Sequence, residues 1–110
     1  MRRRFSSDEL FELRNSIPID TVIKELLALP SKTSEGLFRF LCPICNEFQT
    51  ATNPRTNLAR CFLCRKNFNA IDLVMLVRKT GFIESVTYLK SVLDNSKRVS
   101  QMLSAIGRPI

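Results

Sequence analysis

An α+β fold, a small antiparallel ribbon of about three strands packed with N- and C-terminal helices, is what three features of the 110-residue sequence predict. Its four cysteines form two Cys-x-x-Cys pairs, Cys42/Cys45 and Cys61/Cys64, with fifteen residues between the pairs and no cysteine left over. Short stretches beside the pairs have the alternation of strands. The sequence on either side repeats its apolar residues at helical spacing.

A Cys-x-x-Cys turn aims two thiolates at a point about 2.3 Å from each, and two such turns joined by a hairpin complete a tetrahedron. Cys42, Cys45, Cys61 and Cys64 are therefore read as ligands of one structural Zn2+ in a zinc ribbon. A redox pair belongs at the start of a helix after a buried strand, whereas polar, turn-rich sequence follows Cys45. A secreted disulfide framework is also disfavoured. Met1-Arg2-Arg3-Arg4 runs into a charged amphipathic stretch and not a signal peptide, and no apolar run reaches the length of a membrane span. The expectation is a cytoplasmic protein with no membrane partner and no small-molecule substrate.

The sequence has no histidine. With four thiols committed to zinc, the usual general base and thiol nucleophile are both missing, and a closed four-thiolate site leaves no position for water. Catalysis by this chain alone is not expected. A ribbon of this size buries too little apolar surface to fold unaided, so the metal has to contribute folding energy.

The formal charge is +7, from 17 Lys and Arg against 10 Asp and Glu. A zinc tetrathiolate carries about −2, which leaves about +5 and points to a polyanionic partner, nucleic acid first. Between Leu37 and Phe68 the skew is local: Arg39, Arg55, Arg60, Arg65 and Lys66 stand against Glu47 alone. Single-strand binding combines cations along the phosphates with flat side chains on which bases stack. The candidate nucleic-acid-binding residues are Arg39, Arg55, Arg60, Arg65, Lys66 and Phe48, with Arg39 and Arg60 holding the backbone if they are cross-strand neighbours on an open face. Phe62 and Phe68 also interleave with these cations. Phe38, Phe40 and Phe68 read better as core, and Phe62 as a shield for zinc.

In chain order, Ser6 and Glu9 form a capping-box pattern before a helix to about Asn15, with Leu10, Phe11 and Leu13 on one face. Pro18 suits the first turn of a second helix that buries Ile19, Val22, Ile23, Leu26 and Leu27 and stops at Pro30. Ser31 to Gly36 reads as a polar loop. Leu37–Leu41, Phe48–Thr52 and Leu58–Phe62 read as strands, the last two joined by a turn over Asn53–Asn57. Asn69 caps a helix through Ile71, Val74, Met75 and Val77 to about Lys79. Gly81 breaks it, a further helix runs from about Ile83 to Leu93, and Ser96–Ile106 is a weakly periodic helical tail. The boundaries expected are a basic arm and helix over 1–16, a zinc-ribbon domain over 17–93 and a tail over 94–110.

Taken together, the helix with Ile19-Asp20, the Cys42-Pro43 knuckle, the Cys61-Phe62-Leu63-Cys64 knuckle, Asn69-Ala70-Ile71-Asp72-Leu73 and the Gly81-Phe82 to Leu89 stretch resemble the zinc-binding domain of bacterial DnaG-type DNA primases, over roughly Ile17 to Leu93. The resemblance implies a domain that binds single-stranded template while a separate Toprim-type domain makes the primer. Cys45 stands at the position of the family's histidine, a four-cysteine variant of the Cys-His-Cys-Cys pattern, and Phe48-Gln49-Thr50-Ala51-Thr52 replaces the family's Thr-Pro-Ser-Phe. The expectation is a free-standing, non-catalytic module that binds single-stranded DNA in replication or primer synthesis, of the kind a mobile element encodes, working with a polymerase, primase or helicase chain. The alternative is a zinc-stabilised adaptor that docks a protein through its helices.

Overall fold

Ser6 opens the first helix as its sequence predicts. Its hydroxyl accepts the Glu9 N–H at 3.1 Å while the Ser6 N–H donates to the Glu9 carboxylate at 2.9 Å, a closed capping box on α1 (Ser7–Asn15). The computed structural model describes residues 5–106, with side chains described to residue 95. The Arg2-Arg3-Arg4 arm and the Gly107-Arg108-Pro109 ending lie outside the described residues, and the tail side chains of Val99, Leu103 and Ile106 outside the described side chains. On α1, Leu13 is buried and Leu10 packs against the core, but Phe11 is 63% exposed and does not belong to the apolar face expected of it.

Pro18 is the residue before the second helix, α2 (Ile19–Thr21), and not part of its first turn. The chain widens at once into π-helical turns over Val22–Leu26, with the Leu27 N–H reaching the Val22 carbonyl five residues back at 2.9 Å. This brings Ile19, Val22 and Ile23 together inside the core. The helix ends before Pro30, and Ala28 turns the chain with φ 52°.

Ser31 to Gly36 is not a loop. Ser31–Ser34 forms β1 and pairs antiparallel with β2 (Leu37–Phe40) across Glu35-Gly36, whose φ angles are 56° and 75°. A two-residue turn with positive φ at both positions matches the twist of paired strands. No alternation announces β1 because Ser31-Lys32-Thr33-Ser34 has no fully buried face. The second sheet contains β3 (Thr50–Asn53), β4 (Leu58–Cys61) and β5 (Lys66–Phe68) in that order, all antiparallel. The ribbon's third strand is therefore Lys66–Phe68, while Leu37–Phe40 belongs to the other sheet.

Thr50 joins the two sheets. The Phe40 N–H donates to its hydroxyl at 2.8 Å and the hydroxyl donates back to the Phe40 carbonyl, a side chain completing what a ladder bond would otherwise do. Asn69 and Asp72 form a second capping box at 2.8 and 3.0 Å and start α3 (Ala70–Arg78). That helix ends at Lys79, as expected, with Lys79 itself in the left-handed region at φ 57°. The Gly81 N–H meets the Glu84 carboxylate at 3.0 Å at the start of α4 (Phe82–Ile106). The predicted last helix and tail are one continuous helix. The core gathers side chains from every layer: Leu13, Ile23, Phe40, Ala59, Phe68, Leu73 and Leu89 are all buried, and Cys42 and Cys61 are buried among them.

One buried polar side chain ties the ribbon to the N-terminal helices. Asn57, at φ 57° where the β3–β4 turn closes, accepts the Ile19 N–H at 2.8 Å and donates to the carbonyls of Arg14 and Ile17 at 2.7 and 2.9 Å. These are the backbone groups that the break between α1 and α2 leaves without helical partners. Asn57→Ala should destabilise the zinc-loaded protein by about 2–4 kcal/mol, because several buried groups lose their partner at once. Urea denaturation measures it, and Asn57→Gly, which keeps the left-handed turn at no steric cost, should recover only about 1 kcal/mol.

Candidate metal centre and basic surface

The two knuckles are built alike. After each second cysteine the chain enters the left-handed region, at Asn46 with φ 60° and at Arg65 with φ 59°. The N–H of that residue then donates to the carbonyl of the first cysteine, Asn46 to Cys42 at 2.9 Å and Arg65 to Cys61 at 2.8 Å. Asparagine tolerates this conformation and arginine does so at a cost of roughly 1–2 kcal/mol, so the second knuckle holds its shape against its own backbone preference.

The turns bring all four sulfur atoms within 4.8 Å of one another. Cys42 Sγ lies 3.8 Å from Cys64 Sγ, and Cys45 Sγ 3.6 Å from Cys61 Sγ. A tetrahedron with zinc–sulfur bonds of about 2.3 Å has edges of about 3.8 Å, so these two pairs already have the separation of zinc ligands. Backbone amides support the sulfurs from outside: the Ile44 N–H points at Cys42 Sγ at 3.4 Å and the Cys64 N–H at Cys61 Sγ at 3.3 Å. Such donors favour the thiolate form and orient it. The four cysteines are positioned to bind one metal ion, and their donor set fits one structural zinc.

The matching family model is that of the CHC2 zinc finger, of the DnaG zinc-ribbon type, and it covers residues 5–103. The chain belongs to the CHC2 zinc finger family. A DNA primase of Streptomyces coelicolor is 29% identical over 91 residues, which is 81% of this chain and 14% of that primase. The chain thus spans about one seventh of the length of that relative. This CHC2 finger carries four cysteines, with Cys45 completing the set that the resemblance assigns in part to histidine.

Around the finger the predicted cations have different surroundings. Arg39 is only 19% exposed and is turned inward, donating to the Thr50 carbonyl at 2.8 Å and pairing with Glu35 at 3.2 Å. Its cross-strand partner is Lys32, whereas that of Arg60 is Ala51 on one side and Asn67 on the other. Arg39 and Arg60 are therefore not cross-strand neighbours, since they lie in different sheets. Arg55 is exposed in the β3–β4 turn, Arg65 ends the second knuckle, and Lys66 borders a groove with Ile44, Phe68 and Met75. Phe48 is half-buried with the Lys32 ammonium 4.9 Å from its ring centre. Phe40 and Phe68 are core, as expected of them, and Phe38 packs against it.

The residue that sequence reasoning undervalued is Phe62. It is 51% exposed, and the Arg60 guanidinium lies 5.7 Å from its ring centre. Its place between the cysteines favours a shield for the metal over the stacking role that its position among the cations also allows. The finger tip instead presents its ring outward beside an arginine, on the face of the second sheet opposite the core.

The thiols differ in acidity. Burial pushes Cys64 up to about 12, helped by hydrogen bonding within the cluster, and burial raises Cys45 as well. Burial also opposes ionisation of Cys61, but the Cys64 N–H and the neighbouring thiols donate to its sulfur and leave it below the ordinary thiol value. Cys45 and Cys64 therefore keep their protons at neutral pH and must release them when metal binds, so raising the pH removes a competitor. Apparent zinc affinity should rise by at least about tenfold per pH unit from about pH 6 to 8, measured by competition with a chromophoric chelator. A flat profile would contradict the thiol assignment. One zinc per chain should be found by elemental analysis, and chelation should unfold the ribbon.

Proposed function

We propose that this CHC2 finger is a non-catalytic module that binds single-stranded DNA in replication or primer synthesis, in the cytoplasm, together with a polymerase, primase or helicase supplied by another chain. The reading rests on the open face of the second sheet. There the pleat points Ala51, Leu58, Arg60 and Asn67 away from the core while Thr50, Thr52, Ala59, Cys61 and Phe68 face it or lie buried. A shallow groove of about 420 Å³ runs over that face, with Leu37, Pro54, Arg60 and Phe62 among its walls. An arginine held beside an exposed ring offers one group for a phosphate and one for a base, the two elements of sequence-tolerant strand binding.

The likeness to a DNA primase supports this setting. The four-thiolate centre fits a structural role, since zinc held by four thiolates supplies rigidity and folding energy and leaves no site for a reacting water. Among the described residues no helix is long and apolar enough to cross a membrane. Of the cations, Arg60 is set beside an exposed ring in this groove, Arg55 is exposed on the β3–β4 turn, and Arg39 serves the fold.

Arg60→Ala should weaken binding of a labelled single-stranded oligonucleotide and reduce the slope of log affinity against log salt by roughly 0.7, the contribution of one phosphate contact on a single strand. Phe62→Ala should cost about 1–3 kcal/mol of affinity with the slope unchanged. Both variants should keep their zinc. Fluorescence anisotropy at two or more salt concentrations checks these outcomes, and a salt slope unaffected by Arg60→Ala would overturn the assignment.

A further inference from the structure

The β3–β4 turn separates two concavities and lines both. On one side is the groove with Arg60 and Phe62. On the other is a pocket of about 500 Å³ between this turn and the corner where α1 meets α2, and Pro54 belongs to the wall of each. The second pocket is walled by Phe11, Pro18, Pro54 and Arg55, with Asp20 also lining it.

Two features of this pocket are unexplained by the fold. Among the described residues Phe11 is the most exposed of the large apolar side chains, on a helix whose Leu13 is buried. Asp20 has a buried carboxylate oxygen, Oδ1, with no hydrogen-bond partner. A buried acceptor without a donor is costly, and a ligand that brings a donor would relieve that cost. The pocket thus offers a ring and two prolines for a planar ligand, an acceptor that lacks N–H groups, and a guanidinium at the rim for an anion.

We propose that this pocket receives a guanine base of a single strand that crosses the sheet face and passes over the Pro54-Arg55 ridge. Guanine is the base whose pairing edge presents two adjacent N–H donors, N1–H and the N2 amino group, to a carboxylate. Adenine and cytosine each place a ring acceptor beside their amino group, which a carboxylate repels. Phe11 supplies the stacking surface and Arg55 meets a phosphate at the rim. The charge of Asp20 keeps phosphate out of the interior, so the base enters and the backbone stays outside. The inference rests on strand binding by the sheet face and adds a base preference to it.

The test uses the zinc-loaded full chain and oligothymidylate carrying one central dG, deoxyinosine or dA, read by fluorescence anisotropy, with GMP and IMP titrated separately by NMR. The dG strand should bind at least about fivefold tighter than thymidylate alone. Deoxyinosine, which lacks the N2 amino group, should lose most of that gain, and Asp20→Asn and Phe11→Ala should each bring the dG strand down to the thymidylate level. Asp20→Asn is nearly isosteric at a group with no partner to lose, and zinc content with circular dichroism checks that it folds. Equal binding of dG and thymidylate strands would overturn the guanine pocket and leave strand binding standing. GMP bound by wild type and lost in Asp20→Asn, with no oligonucleotide bound, would uphold the pocket and overturn strand binding. Binding of neither would overturn both, and a dG preference retained in Asp20→Asn would overturn the role of the carboxylate.

Discussion

Four sulfur atoms within 4.8 Å of one another set the geometry on which the rest of the chain depends. Between the knuckles lies the β3–β4 hairpin, so bringing the sulfurs together also fixes where that hairpin starts and ends. Cys42 and Cys61 are at the same time members of the apolar core. Metal site and core are one construction, and a change at either is felt by the other. Few small sheets are stable without such a staple.

From that centre the constraint spreads through polar groups whose partners are backbone. Thr50 ties β3 to β2 through the Phe40 peptide, and the inward guanidinium of Arg39 covers the Thr50 carbonyl beside it. Asn57 does the same between the ribbon and the helical corner. Each of these side chains replaces a missing ladder or helix bond. This is why a chain with two small sheets and several short elements leaves few buried polar atoms unsatisfied among the described residues, Asp20 Oδ1 being the exception.

Much of this was legible in the sequence where the signal is local. Ser6 with Glu9, and Asn69 as a cap, announce helix starts by their own side-chain chemistry; the first capping box closes as the spacing requires, and Asp72 adds a second at Asn69. The cysteine spacing announces the metal site in the same way. What escaped is what depends on distant partners. β1 has no apolar alternation to betray it, and its turn uses Glu35 before glycine, where Asn or Asp is the usual sign. The third strand of the ribbon is too short to show periodicity. Arg39 looked like a surface cation because the carbonyl that turns it inward belongs to Thr50, in the other sheet. For Asn57, the turn was foreseen but not the three backbone groups its amide would meet.

Asn57 also gives the molecule a chemical vulnerability. Its amide nitrogen faces two carbonyl oxygens at 2.7 and 2.9 Å. Hydrolysis of that amide to a carboxylate would exchange a donor for a third oxygen and set like partial charges against one another in a buried site. Ageing of the protein in storage would then act less on its charge than on the attachment of its first two helices. A sample could lose that attachment while its sulfur cluster stayed intact.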